Sequence, residues 1–269
     1  MEPEVFFRHL WEQYTALTPQ AERIHAAVAA LNGTVKNDHV AFRTFRYAPL
    51  DIAHLQPVLL DMGYRPFDHY RFEQKKLEAI AYCHRDPEQP KIFLSELLLD
   101  QLSAGARDII LGKLNQADLP PPEDPSFFWQ GILWPRITYK EYFSLLQESE
   151  YAAWLMVMGY CANHFTINVN QLARTPSLDA VIDVVEGLGL HLNESGGLIK
   201  GCASVGLQQA STLADEIDYT FADGDVRKVK SGYYEFALRY PLENGELYQG
   251  FVEQSADRIF ESTFQQRTG

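Results

Sequence analysis

The chain has 269 residues, a formal net charge of −13 and 46% hydrophobic residues, enough apolar content for a substantial core. That charge argues against nucleic acid or an anionic membrane surface as partner, so an anionic ligand has to be captured by local basic residues. The acidic start Met1-Glu2-Pro3-Glu4 is unlike a signal peptide, no apolar run approaches bilayer length, and the three cysteines Cys83, Cys161 and Cys202 are odd in number and scattered. A soluble cytoplasmic protein with reduced thiols is expected.

In chain order, residues 4–31 carry apolar side chains at helical spacing, with Thr18-Pro19 as the break and Pro19 able to open a second helix. A strand follows over 37–45, then an amphipathic helix over 50–62 ended by Gly63. Extended stretches at 64–72, 77–83 and 91–97 complete a β-α-β-β-β unit over 37–97. Residues 98–160 differ in kind: helical patterns at 98–114 and 139–158 flank the stiff Pro120-Pro121-Pro122, and the region reads as a helical insertion or lid. The first pattern returns over 161–252, with a strand at 163–169 and a helix at 177–188. Extended segments follow at 206–210, 217–221 and 233–240, then a short strand at 247–252. A terminal helix takes up 253–269 from about Ala256. One α+β domain made of two β-α-β-β-β modules, closing into an incomplete barrel around a shared cavity, is the architecture this weak repeat implies.

Candidate chemistry follows from strand alternation. His39, Ala41, Arg43 and Phe45 share one face of the first strand, so an imidazole and a guanidinium lie four residues, or roughly 13 Å, apart on the same side. A lone strand histidine is more often a hydrogen-bonded core or surface residue than a ligand. The later strand repeats the feature, with His164, Thr166 and Asn168 on one face. In 233–240, Tyr233, Glu235, Ala237 and Arg239 share a face, and a carboxylate in so apolar a strand is costly to bury without a partner. A metal is such a partner. Two histidines and a carboxylate leave three positions open on an octahedral Fe(II).

The segments NDHVAFRTF, NHFTINV and GYYEFALRY resemble the metal-binding segments of the 2-oxoadipate dioxygenase/decarboxylase family, the 2-hydroxyglutarate synthases. The resemblance runs over most of the chain, as in a compact member without the insertions of longer ones. It implies a fold related to the vicinal-oxygen-chelate enzymes and a metal held by His39, His164 and Glu235. It also implies Arg43 as holder of the substrate's distal carboxylate and, from SADRIFEST, Ser255 close to the substrate. The reaction implied is Fe(II)-dependent conversion of a 2-oxo acid, 2-oxoadipate above all, with O2 to 2-hydroxyglutarate and CO2.

Two rivals stand beside that reading. Glu96, late in the first module, could mirror Glu235 and supply a fourth ligand, which suits a glyoxalase-like isomerase or lyase. Paired modules can also sequester a small molecule without turning it over. Other features have plainer readings: Cys161 and His164 fall on opposite strand faces, and Gly196-Gly197 with Gly201 lacks the Gly-Lys-Ser/Thr ending of a phosphate loop.

Overall fold

The computed structural model describes residues 1–263. Two helices, α1 (Pro3–Leu17) and α2 (Pro19–Asn32), meet at Thr18, and Pro19 opens the second where its missing N–H is not needed. Then come β1 (Asn37–Phe45), α3 (Ile52–Asp61), β2 (Tyr64–Phe72), β3 (Leu77–His84) and β4 (Lys91–Leu97). Helices α4 (Ala104–Leu114), α5 (Tyr139–Glu148) and α6 (Glu150–Met158) precede β5 (Ala162–Asn168) and α7 (Leu178–Gly187). The chain continues through β6 (Lys200–Cys202), β7 (Leu207–Ser211), β8 (Glu216–Thr220), β9 (Val226–Lys230), β10 (Tyr233–Arg239) and α8 (Glu253–Phe260).

Eight strands form one curled sheet in the order β2-β3-β4-β1-β5-β10-β7-β6. Read from either edge, an antiparallel trio leads to a parallel pair, β4 with β1 on one side and β10 with β5 on the other. The halves join where β1 runs antiparallel to β5. This is an α+β half-barrel. On its outer face Phe42, Phe165 and Tyr234 pack against Phe6, Trp11 and Tyr14 of α1, with Trp11 edge-on to Phe165 at 5.1 Å between ring centres. Alternation leaves His39, Ala41 and Arg43 for the inner face.

Several boundaries differ from the sequence expectation. The helix expected over 139–158 is two, because Ser149 adopts an extended conformation and its hydroxyl accepts from the Ala152 N–H to cap α6. Residues 217–221 lie in a separate two-stranded ribbon, β8 with β9, which turns at Asp223-Gly224. The edge position of the second half belongs instead to the three-residue β6, paired with β7. No strand forms over 247–252; Leu247 makes only an isolated bridge to Pro241. Of the terminal helix expected over 253–269, residues 264–269 lie outside the described residues.

Helix α6 is apolar all round and buried from Tyr151 to Met158, as a helix must be when it passes between the sheet and other elements. Gly159 ends it with φ +65° and turns the chain towards β5; a Cβ there would run into the Gly131 carbonyl. Gly159→Ala should therefore destabilise the protein by about 2 kcal/mol or more in chemical denaturation. An unchanged midpoint would contradict this account of the α6–β5 turn.

Candidate metal centre

β1 and β5 bring the two histidines together. Ala41 lies opposite His164, and His39 lies opposite Thr166. The parallel neighbour β10 then sets Tyr233 beside His164 and Glu235 beside Thr166. Three residues far apart in sequence thus occupy adjacent rows of one concave face. Their ligand atoms all lie within 4.8 Å of one another, and His39, His164 and Glu235 are all buried. The His164 Nε2 is 3.4 Å from His39 Nε2 and 3.3 Å from Glu235 Oε2, and His39 Nε2 is 3.5 Å from Glu235 Oε1.

Each ring is aimed by its other nitrogen. His39 Nδ1 lies 2.8 Å from Asp38 Oδ1, and His164 Nδ1 lies 3.1 Å from the Asn163 side-chain oxygen. Donation from Nδ1 leaves the Nε2 lone pair pointing inward. Asp38 is itself held by Arg239, whose Nε and Nη2 donate to its two oxygens at 2.6 and 2.8 Å. Burial alone would raise the Asp38 carboxyl, but the Arg239 charge and hydrogen bonds, helped by His39, hold it well below the usual carboxylate range. Arg239 also donates to the Tyr248 and Gly250 carbonyls, tying the segment that follows β10 to the same network.

The residues present fit a divalent cation. Burial, reinforced by the neighbouring His39 and Arg43, keeps His164 well below its ordinary value and so neutral. Burial pushes the Glu235 carboxyl up, only partly offset by His39 and by the Gln209 hydrogen bond. Glu235 Oε1 accepts from Gln209 Nε2 at 2.6 Å, while Oε2 is buried and without a hydrogen bond among the described residues. A buried carboxylate oxygen facing two imidazole lone pairs is a donor set without its acceptor. Among the described residues no other group of three or more metal-binding side chains gathers in this way.

The cavity at this point is lined by the three candidate ligands with Phe93, Gln209 and Tyr233 and is covered by Phe251 and residues of α8. Its free volume is about 20 Å³, room for one water-sized guest. Arg43 is buried one row further along β1, next to this space but not lining it. Its Nη1 donates to Glu150 at 3.2 Å and its Nη2 to the Thr263 hydroxyl at 3.0 Å, and its guanidinium lies 4.7 and 4.9 Å from the Trp154 and Tyr151 rings. Its Nε has no partner among the described residues. Ser255 is buried on the inner side of α8 against Gly201; its neighbour Ala256 lines the cavity, and Ser255 does not.

Glu96 does not join the cluster. It pairs with Thr44 in the β4–β1 register, and Thr44 belongs to the face opposite His39 and Arg43. There its carboxylate accepts from Arg46 at 2.6 Å and from the Ile52 N–H at 2.9 Å, at the start of α3. The register also corrects the expected mirror relation: Glu235 lies opposite Thr166, two residues after His164, and the β4 residue opposite Ala41, two residues after His39, is Phe93. Asp38 was not singled out from the sequence as a partner of His39. An acidic residue directly before a strand histidine was the available signal.

Comparison with known proteins gives the family. A family model described as 2-oxoadipate dioxygenase/decarboxylase matches residues 6–120 and 126–245. The chloroplastic 2-oxoadipate dioxygenase/decarboxylase of Arabidopsis thaliana is 35% identical over 86% of this chain and 68% of its own length. The crystal structure of the Oryza sativa hydroxyglutarate synthase in complex with 2-oxoadipate superposes with a TM-score of 0.87 at 33% identity, covering 97% of this chain and 93% of that one. A Shewanella frigidimarina protein, described as a candidate hydrolase, superposes at 0.88 with 40% identity over 94% and 98% of the two chains. For the fold alone, a glyoxalase-superfamily structure from Ralstonia eutropha aligns at 0.77 with 21% identity, covering 93% of this chain and 85% of that one. On the extent of these matches, the chain belongs to the 2-oxoadipate dioxygenase/decarboxylase family.

Proposed function

We propose that the protein converts 2-oxoadipate and O2 to 2-hydroxyglutarate and CO2, using Fe(II) held by His39, His164 and Glu235. The observation that carries this reading is the convergence of those three side chains with Glu235 Oε2 buried and unpaired. Family membership supplies the substrate class. The atoms balance: one oxygen of O2 enters the new carboxylate left by decarboxylation, and the other becomes the 2-hydroxyl. Bound iron would supply the redox chemistry with dioxygen.

The chain's own residues perform the rest. Asp38 and Asn163 fix the imidazole orientations, and Gln209 holds one oxygen of Glu235 so that the other faces the histidines. Arg43 receives the distal carboxylate, and Ser255 lies on the helix that closes over the chain of the substrate. An Fe(II) ion with one carboxylate ligand would carry about +1 and attract an anionic acid, while Arg43, paired with Glu150, offers a carboxylate-matching fork rather than extra net charge. Phe93, Phe251 and Phe260 keep water from the reacting carbons. Three cysteines, all free, suit the reducing cytoplasm in which we place the protein, and no helix among the described residues is long and apolar enough to cross a membrane.

The four-ligand isomerase reading loses its support because Glu96 is committed to Arg46 and α3. Simple sequestration is separated by turnover. Protein loaded anaerobically with Fe(II) should consume O2 and release CO2 in equal amounts with 2-oxoadipate in an oxygen-electrode assay. His39→Ala, His164→Ala and Glu235→Gln should each bring this to background. Tight 2-oxoadipate binding without O2 uptake would instead favour a binding protein.

Two further outcomes test the supporting residues. Asp38→Asn should weaken divalent metal binding by about 10–100-fold in a Co(II) titration, because the His39 ring loses its anionic anchor; unchanged affinity would remove Asp38 from the site. Arg43→Lys should raise KM for 2-oxoadipate by about tenfold or more and affect the monocarboxylic 2-oxohexanoate less, since an ammonium cannot grip a carboxylate with a planar fork. Equal effects on both acids would contradict the distal-carboxylate role.

A further inference from the structure

Tyr233 carries a buried polar atom that no described residue engages. Its side chain is fully buried and lines the metal-site cavity, and its hydroxyl has no hydrogen-bond partner among the described residues. Its ring stacks on His164 with centres 4.6 Å apart and planes 26° apart, so the phenol is fixed rather than free to seek a partner. A buried hydroxyl without a partner opposes folding, and such a group in a cavity marks a contact made only with a guest.

The sheet register says which part of a guest it meets. Glu235, Thr166 and His39 form one row across β10, β5 and β1; Tyr233, His164 and Ala41 form the next. Arg43 lies two residues beyond Ala41 on the same face, and its Nε is also buried without a partner. A chain chelated between the first two rows and reaching for Arg43 therefore passes over the small Ala41 and alongside Tyr233. We infer that the Tyr233 hydroxyl donates a hydrogen bond to the distal carboxylate of a dicarboxylic 2-oxo acid, sharing it with Arg43 and setting specificity for diacids. The inference rests on the substrate class proposed above.

Tyr233→Phe removes the hydroxyl and keeps the ring on His164. Binding of 2-oxoadipate and of 2-oxohexanoate is measured on Co(II)-loaded wild type and variant under anaerobic conditions, alongside Co(II) affinity and the melting temperature of the unliganded proteins. The variant should bind 2-oxoadipate about tenfold more weakly, bind 2-oxohexanoate and Co(II) as wild type does, and melt no lower. Equal loss for both acids, weakened Co(II) binding, or unaltered 2-oxoadipate binding would each overturn the role given to the hydroxyl. Wild-type protein that binds neither acid would overturn the substrate reading itself, a failure visible without the variant.

Discussion

β1 and β5 pair antiparallel at the centre of the curled sheet, and everything at the site depends on the register of that pairing. With Ala41 opposite His164 and His39 opposite Thr166, the two imidazoles approach to 3.4 Å between their Nε2 atoms. A slip of one residue would turn one histidine to the helix-covered side. The register is enforced from the outer face, where Phe42 and Phe165 are buried against Phe6, Trp11 and Tyr14 of α1. Apolar packing on one face of the sheet thereby sets a polar geometry on the other.

The polar side is stabilised as a connected network. Arg239 neutralises Asp38, Asp38 anchors His39, and Gln209 restrains Glu235, so few of these buried groups are left to solvent or chance. Of the buried side-chain atoms without a partner among the described residues, Glu235 Oε2, Tyr233 Oη, Gln209 Oε1 and Arg43 Nε belong to residues in or beside one cavity, while Gln13, Asn37, Asn163 and Tyr219 each carry one outside its lining. Four such atoms gathered at one cavity suit a charged, oxygen-rich guest. The apolar cover of Phe251, Ile259 and Phe260 adds a low-dielectric roof, under which each charge counts for more.

Much of this was legible in the sequence because strand alternation is local. The period of two places His39 with Arg43 and Glu235 with Tyr233 without knowledge of any neighbour. Long helices with clear punctuation, such as α1 and α2 about Thr18-Pro19, were equally readable. What alternation does not encode is which residues lie opposite. Glu96 looked like the mirror of Glu235 until the register paired it with Thr44 and gave the equivalent position to Phe93. Asp38 escapes the simple pattern because the β1–β5 register shifts between Asn37 and His39, letting neighbouring side chains work together. The β8–β9 ribbon and the tiny β6 were misassigned for a related reason: a five-residue strand carries no mark of the sheet it joins.

The central claim is that one divalent ion is shared by side chains from three strands. Crystals of the protein loaded with Fe(II) or Co(II) without oxygen, measured at the metal's absorption edge, test it most directly. The account expects one anomalous peak per chain, within bonding distance of His39 Nε2, His164 Nε2 and a Glu235 oxygen. A peak held by other residues, or none with the metal in excess, would contradict it.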